Sequence, residues 1–219
     1  MIRAMIFDLD GTLIDTPTGI VKAFCKVLTD LGFKNVPESA IRNTIGMPLE
    51  SAFSVLMEVS VADNNICRAI ELYQQNFREI ILPKAPSLLF PGVKETLEQL
   101  KKEGKLLAIA TSKYFKSAEA LLKAAGIQHF FDVIIGADQV TKPKPDPEMG
   151  FMVMSMLGVT SDESVMVGDT THDLKMANSA GMTSIAVTYG IHDIETLRSE
   201  KPSLITSDFR DILNFVIHY

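Results

Sequence analysis

The stretch Met5-Ile6-Phe7-Asp8-Leu9-Asp10-Gly11-Thr12 decides how this chain is read. Its first three residues form a short apolar run stopped by a charged residue and soon after by a glycine, which predicts a buried β-strand and its exit. Two carboxylates with one residue between them, Asp8 and Asp10, therefore stand where that strand ends. Like charges this close repel, and a fold keeps them together only with a cation, a shared proton or strong hydrogen-bond donors. A turn carrying incidental acids belongs on a solvated loop, not at the end of a central strand. The stretch points to a metal-assisted site.

Outward from it, apolar strand-like runs alternate with helical patterns. Further strands are predicted at 106–110, 133–135, 165–167 and 184–187. Between them, Ala118, Leu121, Leu122 and Ala125 form one helical stripe ended by Gly126. Met149, Met152, Val153, Met156 and Leu157 form another, ended by Gly158. The methionines read as core filler. This alternation predicts an α/β fold, a doubly wound and mostly parallel sheet covered on both faces. Ligands of such sheets bind beyond the carboxyl ends of the strands. The segment after the first strand breaks the pattern. Phe24, Val27, Leu28 and Leu31 form one helical stripe, and Ile66, Ile70, Tyr73, Phe77 and Ile80 another, with no convincing strand. Pro83, Pro86 and Pro91 cluster at its return as a linker. The expected organisation is an α/β core of residues 1–15 and 86–219, with residues 16–85 inserted as a helical cap above the site.

Composition narrows the function. Apolar residues make up 47% of the 219 and charged residues 22%, which fits a globular chain with a substantial core. A net charge of −6 argues against nucleic acid or an anionic membrane as partner, and no run approaches a membrane span. Cys25 and Cys67 lack metal-type spacing and read as small core residues in a reducing compartment. The amino-terminal stretch is not that of a signal peptide. A cytoplasmic enzyme is expected, and oligomeric state is not legible.

Four features fall at or soon after predicted strand ends. Beside Asp8 and Asp10, Thr111-Ser112 offers a hydroxyl and successive amides to phosphoryl oxygens, although the same pair also suits a helix cap. Lys142-Pro143-Lys144-Pro145 can aim a stiffened lysine inward, or form a solvated basic loop. Gly168-Asp169-Thr170-Thr171-His172-Asp173 brings two further carboxylates toward Asp8. Carboxylates, a hydroxyl and a lysine suit Mg²⁺ together with a substrate phosphate oxygen. His172 has no His or Cys partner at zinc spacing and reads as a cap or a neighbour of the ligands, while His129, His192 and His218 are scattered.

In type and order these motifs resemble those of the haloacid dehalogenase superfamily, specifically its phosphoglycolate phosphatase-like branch with a helical cap. The likeness extends to Ile45-Gly46-Met47-Pro48 and Leu89-Phe90-Pro91-Gly92-Val93. The resemblance implies that Asp8 attacks phosphorus and becomes an aspartyl phosphate, and that Asp10 protonates the leaving oxygen and then activates water. It implies Mg²⁺ held by the Asp8 carboxylate, the Asp10 backbone carbonyl and Asp169, with Asp173 a further ligand or a neighbour of one. Thr111 and Ser112 would bind phosphoryl oxygens. Lys142, by its place in the motif, would neutralise the nucleophile, with Lys144 as the competing assignment.

The expected substrate is a small phosphorylated metabolite. Asp10 favours phosphate esters over carbon–halogen or phosphonate chemistry. A pyrophosphatase or a phosphosugar mutase of the same branch is the alternative. Such mutases usually carry a His about ten residues after the acid/base Asp, where Ile20 stands here. A phospho-aspartate receiver domain is normally shorter, without a helical insertion, and a non-catalytic binding module would not need so costly a charge cluster. Lys22 and Arg42 are the only obvious cations in the expected cap loops.

Overall fold

The computed structural model describes residues 1–33 and 36–218, without the side chain of His218. Six strands form one parallel sheet: β1 (Ala4–Phe7), β2 (Leu106–Ala110), β3 (Val133–Ile135), β4 (Ser164–Gly168), β5 (Thr183–Val187) and β6 (Leu204–Thr206), in the order β3-β2-β1-β4-β5-β6. β1 pairs with β2 and β4, Phe7 lying opposite Ile109 on one side and Val167 on the other. It is buried along its whole length, as a central parallel strand covered on both faces must be.

The two-residue period of the strands divides the core. Met5, Phe7, Leu107, Ile109, Val165 and Val167 point into one apolar cluster, and Ile6, Ala108, Ala110 and Met166 into the other. The first cluster includes the inner stripes of α5 (Val93–Lys102), α6 (Phe115–Ala124) and α10 (Asp211–His218). The second takes Met149 and Val153 from α7 (Glu148–Leu157) and Met176 and Ala177 from α8 (Thr171–Ser179). Gly158 ends α7 in the left-handed conformation, as its position predicts. Two expectations are corrected. Met156 is 59% exposed, because the buried face of α7 runs through Met149, Val153 and Met154 instead. The edge strand β6 was not anticipated: it has only three residues and is half-buried, too short to display a period.

Between β1 and α5 the chain forms α1 (Pro17–Asp30), α2 (Glu38–Asn43), α3 (Leu49–Met57) and α4 (Asn64–Ile80). It leaves and returns side by side. Asp15 N donates to Leu88 O at 2.7 Å, and Phe90 N to Leu13 O at 3.1 Å. The helices close their own core through Phe24, Phe53 and Tyr73, with ring centroids 4.6 Å (Phe24–Phe53) and 4.8 Å (Phe24–Tyr73) apart. Each such side chain stabilises by roughly 1.5–3 kcal/mol when fully buried. A short α9 (Ile194–Arg198) completes the elements. Among the described residues no helix is long and apolar enough to cross a membrane.

Candidate active site

Parallel pairing puts the carboxyl ends of β1, β2 and β4 side by side, and hydrogen bonding continues one step past them. Asp8 N donates to Val167 O at 2.9 Å and Thr111 N to Ile135 O at 3.0 Å. Asp8, Thr111 and Asp169 are therefore delivered to one sheet edge by backbone geometry alone. Asp8, Asp169 and Asp173 are buried, each offering an oxygen within 4.8 Å of the others.

Each acid is held by specific donors. Asp169 accepts from Thr12 Oγ1 and from Ile191 N, both at 2.8 Å. Backbone presses on it from two sides. Gly11, at φ 88°, has no room for a side chain, since a Cβ there would lie 2.3 Å from Asp169 Oδ2, and at Gly190 one would lie 2.2 Å away. Asp173, in the first turn of α8, accepts from the N–H and hydroxyl of Thr170 at 3.1 and 2.8 Å. Asp10 accepts from Thr16 Oγ1 at 2.5 Å and pairs with Lys113 Nζ at 3.0 Å.

The lysine at the centre is Lys144. Its ammonium lies 2.7 Å from Asp8 Oδ1 and 2.5 Å from Asp173 Oδ1, and the residue is buried. The assignment to Lys142 is corrected. That residue is exposed, and its backbone N–H is spent on Glu148 Oε2 at 2.8 Å, which turns the loop so that Lys144 faces inward.

Four carboxylates thus meet two ammonium groups, so full ionisation would leave two negative charges uncompensated in a buried site. Two like charges ~4 Å apart cost about 4 kcal/mol at an effective dielectric near 20. Burial therefore pushes the Asp8 carboxyl up to about 7 against the pull of Lys144, with Asp173 and Asp10 adding to the rise. Burial, then Asp8 and Asp173, hold Asp169 well above the ordinary carboxylate range. Burial alone would lower Lys144, but Asp173 and Asp8 outweigh it and keep the ammonium above its ordinary value. This set of hard oxygens fits a small divalent cation, whose charge would match the deficit.

Thr111 and Ser112 line the same pocket as Asp8 and Asp10. The Thr111 hydroxyl also accepts from Lys113 N at 3.2 Å. The helical segment closes the other side. Tyr114 donates its hydroxyl to Glu50 on α3, and Lys113 Nζ sits 4.0 Å from the centre of the Phe77 ring on α4. Lys113 and Tyr114 were not singled out in the sequence, although they directly follow Thr111-Ser112 and that adjacency was the available signal. His192, one of the histidines scattered in the sequence, comes close to this site. Its Nδ1 accepts from Thr171 N at 3.1 Å, at the start of α8, and its ring lies 6.3 Å from that of His172.

The family model for haloacid dehalogenase-like hydrolases matches residues 5–187. The chain belongs to that family. A relative of this haloacid dehalogenase-like hydrolase, the "probable phosphatase IndB" of Dickeya dadantii (strain 3937), is 52% identical over 95% of this chain and 91% of its own length. A "phosphoglycolate phosphatase" of Pseudomonas putida is 32% identical over 96% of this chain and 78% of its own length. Among solved structures, a "putative haloacid dehalogenase-like hydrolase" from Bacteroides fragilis superposes with a TM-score of 0.88 at 29% identity, covering 97% of this chain and all of that one. The hydrolase thus resembles phosphoglycolate phosphatases along nearly its whole length.

Proposed function

We propose that the chain is a Mg²⁺-dependent phosphatase that hydrolyses a small phosphomonoester through an aspartyl phosphate on Asp8. The observation that carries this reading is the buried convergence of Asp8, Asp169 and Asp173, with the ammonium of Lys144 paired to Asp8 and Asp173. The names of the relatives, both phosphatases, support it. Asp8, Asp169 and Asp173, with the backbone carbonyl of Asp10, would hold the ion. Bound there, it supplies positive charge against the nucleophile and the phosphoryl oxygens.

The protein's own groups carry the steps. An Asp8 carboxylate oxygen attacks phosphorus while the bond to the ester oxygen breaks. Asp10 gives its proton to that departing oxygen. It then takes a proton from the water that attacks the aspartyl phosphate, releasing phosphate and restoring Asp8. Thr111 Oγ1 and Ser112 N–H steady the phosphoryl oxygens, and Lys144 favours the ionised form of Asp8 and aims it. The helical segment, residues 16–85, acts as the cap that excludes water and shapes the space for the leaving alcohol. A cytoplasmic setting accords with Cys25 and Cys67, free thiols that are half-buried and exposed respectively rather than the core residues expected.

The test is phosphate release from p-nitrophenyl phosphate and a panel of phosphorylated metabolites, with Mg²⁺, with EDTA, and after Mg²⁺ is restored. Release that tracks the metal is expected, with Asp8→Asn slower by at least ~10⁴-fold at unchanged circular dichroism. Full activity in that variant, or in EDTA, would overturn the reading.

A further inference from the structure

The pocket above Asp8 has a floor and a wall of different chemistry. Among the described residues, the charges that line it all belong to the floor: Asp8, Asp10 and Lys113. The wall comes from the helical segment, with Ile20, Phe24, Ile45, Met47, Tyr73 and Phe77 as its main surfaces, and none of the described residues that this segment contributes to the lining is charged. The cations expected to serve it do not. Lys22 and Arg42 are exposed and lie outside the lining. Arg78 and Lys116 border a neighbouring cleft, beyond Gln74, Phe77, Tyr114 and Ser117, and both are exposed.

Both ammonium groups at the floor are already engaged, and the carboxylates outnumber them. Lys144 is shared by Asp8 and Asp173, and Lys113 pairs with Asp10 at 3.0 Å while resting on the Phe77 ring. A second anion brought in close to the phosphate would meet an uncharged wall. Among the described residues of the lining, the one cation it could draw on is Lys113, and engaging it would strip Asp10 of its partner. An unpaired buried charge is costly, whereas an uncharged organic group gains by covering the aromatic wall.

We infer that this pocket selects phosphomonoesters whose organic part is uncharged, and discriminates against those with a carboxylate next to the ester. The inference rests on the reading of Asp8 as phosphoryl acceptor and names the substrate class of that site. It sets the chain apart from what the name of the Pseudomonas putida relative would suggest.

The experiment compares two esters of equal size, 2-phosphoglycolate and its amide, phosphoglycolamide. In the wild type kcat/KM is expected to favour the amide at least tenfold. Gln74→Lys, or Met47→Lys should the first variant not fold, adds a cation to the wall and is expected to narrow that ratio at least threefold. Calorimetric binding of both esters to Asp8→Asn in Mg²⁺ reads the same preference without turnover. Equal or reversed preference in the wild type overturns the inference, as does a wall lysine that leaves the ratio unchanged. Amide-selective binding without phosphate release by the wild type would overturn the proposed reaction while upholding the charge selection.

Discussion

The edge of the sheet and the helices above it solve opposite problems. At the edge, Asp169, Asp173 and Lys144 are 0%, 1% and 3% exposed, and every one is fixed by directional bonds from backbone or hydroxyl donors or by a charged partner. In the helical segment, Phe24, Tyr73 and Phe77 are held by packing, in ring contacts without one preferred geometry. Directional bonding makes the charged floor intolerant, because removing one partner strands another in a buried site. Packing makes the wall adaptable, since volume-conserving apolar exchanges usually cost under ~1.5 kcal/mol. On the proposed reading, the rigid region would set the reaction type and the adaptable one the choice of substrate.

The largest expected effect breaks the floor. Lys144→Met should lower kcat/KM by about three orders of magnitude and destabilise the fold by roughly 3–5 kcal/mol, the usual cost of stranding one side of a buried ion pair. Lys142→Met should change neither by more than about twofold or ~0.5 kcal/mol, since its side chain is exposed. Steady-state kinetics and urea unfolding of the two variants decide it. Equal losses would mean that the loop places its lysines differently.

Next in size is Asp10→Asn, which sharpens the contrast between proton transfer and charge. With an alkyl phosphate the loss should be about 10²–10⁴-fold, the range of general acid–base catalysis. With p-nitrophenyl phosphate it should be smaller, because that leaving group departs without a proton in the first step. The comparison is read in kcat/KM, which reports the steps up to the aspartyl phosphate, and a loss there that ignores the leaving group would remove Asp10 from the role of acid.

The same contrast explains what the sequence could tell. Five strands were readable because buried parallel strands are short apolar runs, and Asp8, Asp10, Thr111, Ser112, Asp169 and Asp173 stood out because each follows one closely. The structure does bring these six to one edge. The choice between Lys142 and Lys144 was not readable, since it depends on how Glu148 folds the loop back on itself. Nor was the wall. The stripe Tyr73-Phe77 announces that one face of α4 is covered but not that a cavity lies against it. Lys113 escaped notice because its importance lies in two partners, Asp10 and Phe77, far from it in sequence.

The smallest expected effect concerns stability alone and separates the regions most cleanly. In the metal-free protein Asp8 and Asp169 hold their protons to higher pH than unfolded carboxyls do, Asp8 to about 7 against an ordinary 3.8. The native state therefore binds more protons than the unfolded chain between about pH 4 and 7, so this cluster's contribution is fully present below pH ~4 and is lost as pH rises through ~7. In EDTA, the wild type should lose Tm between pH 5 and 8 relative to Asp169→Asn, each kcal/mol appearing as about 2–4 °C in a chain of this size. Mg²⁺ should recover the loss at pH 8 by binding only the native state. An uncharged wall variant such as Met47→Leu should keep the wild-type slope, because it leaves the charges around the four carboxylates untouched. Parallel Tm–pH curves for wild type and Asp169→Asn would show that the acids at the strand ends do not share the burden of their mutual repulsion, and the charge deficit that invites a divalent ion would lose its physical basis.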